Sequence, residues 1–226
     1  GATAGAGKIV YEQAGYLHVL DPATGQARKL TIGVAADLRE TRPRFVSGNQ
    51  YIRNASISPS GARVAFEFRG EIVTLPAEKG DARNLTNSPA AHDRSPAWSP
   101  DGARIAWFSD DGGEYQLHVG AQGGKGEHKT YKPGGAGFYE RPVWSPDGTR
   151  IAYVDNSQAV LVLDLRSGAV KKAGGNRIFF PGQAISLSWA PDSKWLAFTS
   201  VVQPLVTALS VYNVDDDTAT RITDGL

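Results

Sequence analysis

Two clusters of polar side chains have types and spacing suited to chemistry: His92-Asp93-Arg94 and Tyr139-Glu140-Arg141. Arginine presents a planar fork that takes a carboxylate through two parallel hydrogen bonds. Tyrosine beside it adds an amphipathic contact surface. A histidine next to an aspartate can move a proton or, with further ligands, hold a divalent cation that activates water. A cation at His92 and Asp93 has little support, because one histidine falls short of the usual ligand set and no H-E-x-x-H is present. A serine nucleophile activated by His92 lacks any partner spacing. No catalytic residue is assigned and no cofactor is expected; a small metal-assisted ester or phosphoester hydrolase using His92 and Asp93 stays as an alternative.

These clusters share a site only if the fold brings them together, and a repeat predicts that it does. "WSPDG" occurs at 98–102 and 144–148, with weaker copies "WAPDS" at 189–193 and "SISPSG" at 56–61. The turn prolines Pro59, Pro100, Pro146 and Pro191 are separated by 41, 46 and 45 residues. A period near 40–50 residues with strand-like content is the mark of a β-propeller blade. Each turn is preceded by a short strand, such as "PAWS" or "PVWS", and followed by an apolar one: "ARVAF", "ARIAW", "TRIAY", "KWLAF". A third strand follows ("EIVTL", "YQLHV", "AVLVL", "ALSVY"), then a polar fourth ("ARNLT", "EHKTY", "AVKKA", "ATRIT"). The fold class is therefore all-β: a propeller of four full blades and one partial blade, about five in all, each a four-stranded antiparallel sheet. Proline presets φ in Ser-Pro-Asp-Gly, aspartate bonds the backbone ahead, and glycine accepts positive φ, so the repeated turn is structural.

The boundaries follow. Residues 1–7 read as a leader or cloning remnant, and 8–226 as one propeller domain. Within it lie a partial blade at 8–31 lacking its first strand, a connection at 32–53, and blades at about 54–93, 94–139, 140–184 and 185–226. "RPRFV" (42–46) echoes "RPVWS" and suggests a displaced first strand. A start at Gly and the lack of Met read as an excised or processed segment. "GAGK" at 5–8 fails the phosphate-loop pattern, since Ile9 follows the lysine.

Loops from fourth to first strands, and from second to third, share one face of a propeller; the SPDG turns take the other. That gathers His92, Asp93, Arg94, Asp110, Asp111, Glu114, Tyr139, Glu140, Arg141, Asp155, Arg177 and Phe179 on one rim. Two readings stay open there. In one, Arg94, Glu140 and Arg141 form ion pairs between blades; in the other, they grip a peptide terminus or side chain. Phe179, with Phe180, either offers an exposed aromatic or plugs a gap between blades. His18 and His118 occupy equivalent third-strand slots and read as packed strand histidines, while His128 reads as solvated.

Composition narrows the partners. Lys+Arg number 24 and Asp+Glu 23, a net charge of +1, so nothing points to nucleic acid. No apolar run is long enough for a membrane helix. Cysteine is absent, which rules out disulfides and suits cytoplasm or periplasm alike.

The repeats resemble those of TolB-like propellers, the WD-related class whose blades carry W-S-P-D-G, from Lys8 to Leu226. "YLHVLDPATGQARKLT", "FEFRGEIVTLPAEKGDARNLT", "HDRSPAWSPDGARIAWFSDDGGEYQLHV" and "GAGFYERPVWSPDGTRIAYVDNS" are similar to a propeller region of tricorn-protease homologues, serine peptidases of the S41 type. The resemblance implies a Ser/His triad in a separate α/β domain, and no residue here inherits it. It implies a module that filters, docks or guides peptides or proteins, with the remainder of a larger peptidase as partner. Propellers of that region usually have more blades, so about five would close as a smaller ring or pair through open edges in a homo-oligomer.

Overall fold

The structure, a computed structural model, describes residues 1–33, 35–37, 42, 45, 47–176 and 184–225. Among the described residues, twenty strands build five four-stranded antiparallel sheets, each a meander in chain order. The first blade is β1 (Ala2–Gly5), β2 (Lys8–Gln13), β3 (Tyr16–Asp21) and β4 (Gln26–Lys29). The second is β5 (Ile52–Ile57), β6 (Arg63–Phe68), β7 (Glu71–Pro76) and β8 (Arg83–Asn84). The third is β9 (Arg94–Trp98), β10 (Arg104–Ser109), β11 (Gln116–Ala121) and β12 (Lys129–Tyr131). The fourth is β13 (Tyr139–Trp144), β14 (Arg150–Asp155), β15 (Ala159–Asp164) and β16 (Val170–Gly175). The fifth is β17 (Leu187–Trp189), β18 (Trp195–Gln203), β19 (Val206–Asn213) and β20 (Thr218–Arg221). The repeat read from the sequence thus becomes one sheet per period.

The chain divides into two compact units, 1–47 and 48–226, where the sequence suggested one domain from residue 8. The start also differs. Residues 2–5, taken as leader, are strand β1, which pairs with β2 from Ala2↔Tyr11 to Gly5↔Lys8. The first blade therefore has its own first strand and is not partial. "ATAG" hid this because it is exposed throughout and shows no apolar alternation; its order comes from backbone pairing with β2. The echo at 42–46 falls mainly on residues outside those described.

Within 48–226, apolar strands bury between successive sheets. Ala65, Ile72, Trp98, Ile105 and Trp107 form a cluster between the second and third blades. Phe108, Leu117, Trp144 and Ile151 belong to one between the third and fourth. Val160, Leu196, Phe198 and Tyr212 belong to one between the fourth and fifth. A lone sheet cannot cover both its faces, so each blade depends on its neighbours.

The tryptophan before each turn ties neighbours together. Trp98 Nε1 donates to the Ser56 carbonyl at 3.1 Å, Trp144 Nε1 to Ala97 at 3.0 Å, and Trp189 Nε1 to Val143 at 3.1 Å. Each bond runs from one first strand to the first strand of the preceding blade. In the second blade the slot holds Ile57, which is exposed. The turn itself closes on its serine: Ser99 and Ser145 each accept from the arginine N–H five residues on, at 2.9 Å. Gly102 and Gly148 sit at φ +69° and +67°, the left-handed region the reversal demands.

Candidate functional site

Three first strands carry the same irregularity. Asn54, Ser95 and Arg141 lie in the left-handed region at φ +45°, +54° and +57°. Each stands five residues before its turn proline. In each the register with the next strand slips: between Arg53 and Ser56, between Arg94 and Ala97, and between Glu140 and Val143. These are β-bulges, which bend a strand and re-aim its side chains. Together the three bulges line a groove of about 310 Å³ bounded by Asn54, Ser56, Arg94, Ser95, Glu140 and Arg141.

The groove brings the two sequence clusters together. Arg94 Nη2 lies 3.8 Å from Glu140 Oε1. That is too long for a good hydrogen bond, and Arg94 Nε is buried with no partner. The guanidinium lies 4.0 Å over the Phe138 ring. Phe138 packs edge-on against Tyr115, with ring centres 5.6 Å apart. Tyr115 Oη meets His92 Nδ1 at 2.7 Å, and the His92 backbone N–H donates to Asp110 at 2.6 Å. Burial, and then the Asp110 charge, push the Tyr115 phenol above its ordinary value. Arg141 Nη1 donates to the Ile185 carbonyl at 3.3 Å. Glu67, almost fully buried, holds two of the bulges from behind: it accepts from Asn54 Nδ2 at 2.8 Å and Ser95 N–H at 3.2 Å, and stands 3.9 Å from His92 Nε2.

Other expected rim residues serve the scaffold. Tyr139 is buried and stacks on Phe108 at 5.2 Å, with its hydroxyl donating to the Gly134 carbonyl at 2.5 Å. Its apolar ring fills the core between blades, so it offers no surface to a ligand. Asp155 is buried and accepts from Ala136, Ser157 and Ala159 backbone N–H groups at 2.9–3.0 Å, which makes it a loop staple. Asp93 is buried, accepts the Ser88 hydroxyl, and lines the cavity beside His118 in place of the groove. Arg177 and Phe179 lie outside the described residues. Sequence inspection missed Tyr115, Phe138 and Glu67. No residue type common to Asn54, Ser95 and Arg141 marks the bulges in the sequence.

A second polar centre sits between the second and third blades. Among the described residues, Asp111, His118 and His128 bring ligand atoms within 4.8 Å of one another; His92 and Asp93 form no such set. His118 is a packed strand histidine as expected, 2 % exposed, and burial pushes its imidazole below the ordinary histidine value. His128 is exposed, but its ring lies 4.7 Å from His118 and 5.6 Å from Trp107.

The model of the tricorn protease second β-propeller domain matches residues 52–226. The chain belongs to that family. A curated relative, tricorn protease homolog 1 of Streptomyces coelicolor (strain ATCC BAA-471 / A3(2) / M145), is 26% identical over 215 residues. That alignment takes in 92% of this chain and 20% of the relative. Among solved structures, a tricorn protease superposes with TM-score 0.67 at 14% identity, covering 96% of this chain and 21% of that one. TolB from Acinetobacter baumannii gives 0.58 at 20% identity, covering 97% and 52%. At these identities the two structures show the fold alone. The chain thus spans about a fifth of the tricorn relatives' length, and it is a propeller module of a tricorn-like protein.

Proposed function

We propose that this module binds extended peptide segments in the groove of the three bulges, with Arg94 and Arg141 taking a carboxylate of the ligand. Arg94 carries the proposal. Its side chain is 12% exposed, it lines the groove, and its Nε donor has no partner. A buried donor left unpaired costs about 1–3 kcal/mol, which a ligand carboxylate would recover. Glu140, half exposed and 3.8 Å away, is a weak internal stand-in that an incoming carboxylate displaces. Tyr115 and Phe138 supply an apolar shelf beside the charge. Membership of the tricorn propeller family supports a setting in which bound peptides pass to the rest of a larger peptidase.

The test is fluorescence anisotropy of a labelled, unstructured peptide with a free C-terminal carboxylate, beside its C-terminal amide. A charge-assisted hydrogen bond contributes roughly 1.5–3 kcal/mol, so Arg94→Ala with Arg141→Ala weakens binding by roughly 10–150-fold. Arg94→Lys keeps the charge and loses the fork, so it recovers part of the loss. Equal affinity of the double variant and the parent removes the groove as the site.

A further inference from the structure

The polar centre between the second and third blades is independent of the groove. Asp111 lies on the loop between β10 and β11, His118 within β11, and His128 just before β12. The hairpin register sets His118 opposite Thr130 and Val119 opposite Lys129, which returns the chain so that His128 comes back alongside His118. Asp111 Oδ1 stands 3.5 Å from His118 Nε2. That nitrogen is buried, and it has no hydrogen-bond partner. An apolar packing role would leave it unsatisfied at a cost of about 1–3 kcal/mol.

We propose that Asp111, His118 and His128 bind a divalent transition-metal ion of the zinc type. Spacing is the first reason. Two ligand atoms each roughly 2.0–2.1 Å from a tetrahedral zinc stand roughly 3.3–3.4 Å apart. The 3.5 Å between Asp111 and His118 matches this; the set as a whole lies within 4.8 Å, so the exposed Asp111 and His128 side chains close in by about an ångström to share one ion. The orphaned nitrogen is the second reason, because a metal is the partner that a lone pair at that position lacks. Space is the third. A cavity of about 70 Å³ opens at the cluster, walled by Leu85 and Ser88 of the second blade and by Trp107 of the third. A single water needs roughly 10–15 Å³, so an ion with its own waters fits. Two imidazoles and one carboxylate select zinc-like ions over magnesium or calcium, which prefer all-oxygen shells. Three protein ligands leave a fourth position for water or for a donor group of a bound molecule. The ion also clasps the β11–β12 hairpin to the loop before β11.

The experiment is a titration of the full, untagged chain with zinc alone, read by competition with a chromophoric chelator. Cobalt substitution adds a visible absorption band for a four-coordinate nitrogen and oxygen site. The expected result is one zinc per chain. Even outer partners of metal ligands cost about 10–100-fold in affinity when removed, so Asp111→Asn and His128→Ala each weaken zinc binding by roughly tenfold or more. Both positions are exposed, so folding survives the change, as an unaltered melting temperature without metal verifies. His18→Ala, in the equivalent slot of the first blade, leaves zinc affinity unchanged. A parent chain that takes up no zinc, or equal affinity after both ligand substitutions, overturns the site. Magnesium or calcium binding in preference to zinc overturns the metal class.

Discussion

Replacing Trp144 by phenylalanine tests how the blades hold one another. The indole is 7% exposed and lies in the cluster between the third and fourth blades. Its Nε1 donates to the Ala97 carbonyl at 3.0 Å, and the Arg104 guanidinium lies 4.9 Å from its ring. Phenylalanine removes this second donor from a carbonyl that keeps its place opposite Ala106 in the strand ladder, a net loss of about 0.5–1.5 kcal/mol. The smaller ring also leaves a gap, so the total loss is roughly 2–4 kcal/mol. Equilibrium urea unfolding with linear extrapolation measures it. Fluorescence still reports, since four of the five tryptophans remain. Trp195→Phe is the control, because that ring is 41% exposed. A cost for Trp144→Phe within about 0.5 kcal/mol of zero, as for ordinary surface changes, would refute the inter-blade tie. So would an equal cost for Trp195→Phe.

Two further outcomes follow from the geometry. The Ser99 hydroxyl first, then the Ala103 N–H, hold the Asp101 carboxylate below its ordinary range, and the Ser167 N–H chiefly does the same for Asp164. A carboxylate with a lowered folded-state pKa stabilises fully above about pH 4, and that contribution is lost as pH falls through the lowered values. Melting temperature between about pH 5 and 2 therefore falls less steeply in an Asp101→Asn, Asp164→Asn double variant than in the parent; parallel curves would contradict the assignment. Gly135 sits at φ +68°, and a Cβ there would lie 2.5 Å from Asp155 Oδ2 and 2.7 Å from Leu161 Cδ1. Gly135→Ala thus lowers the melting temperature more than Gly137→Ala, where φ is +54° but the space is open.

The fold was legible because the turn chemistry repeats. Pro59, Pro100, Pro146 and Pro191 each mark one sheet, and the apolar strand after the turn is the most buried of the third blade and is matched only by β15 in the fourth. The nearness of Arg94 to Glu140 and Arg141 was legible for the same reason, since equivalent first strands converge when equivalent sheets stack. What stayed hidden depended on side-chain direction. Tyr139 begins β13 beside Glu140 and Arg141, yet its ring turns into the core against Phe108 and Tyr153. The bulges were masked by chemistry that points the other way. Ser95 and Arg141 each precede a proline, and that position ordinarily favours extended backbone. Their left-handed conformation needs tertiary support, which Glu67 supplies to the Ser95 N–H.

The repeat also explains why, among the described residues, the proposed ligand set falls in one blade. Each second strand carries an aromatic residue facing a third-strand slot: Tyr11↔His18, Phe66↔Val73, Trp107↔His118, Tyr153↔Leu161 and Phe198↔Ser210. The aromatic is buried in the second to fifth blades, so packing there does not depend on what lies opposite. That frees the opposite residue to vary. In the first blade the slot holds a histidine too, but it stacks on Tyr11 at 5.3 Å, its fourth-strand neighbour is Lys29, and among the described residues it joins no ligand set. In the third blade the neighbour is Thr130, and the connection leading to β12 returns a second histidine. A buried histidine in the repeat is therefore a scaffold feature, and it becomes a candidate ligand only where the following connection and the preceding loop supply His128 and Asp111. If zinc bound equally well after His128→Ala, the slot would be packing in both blades, and the difference between them would carry no chemistry.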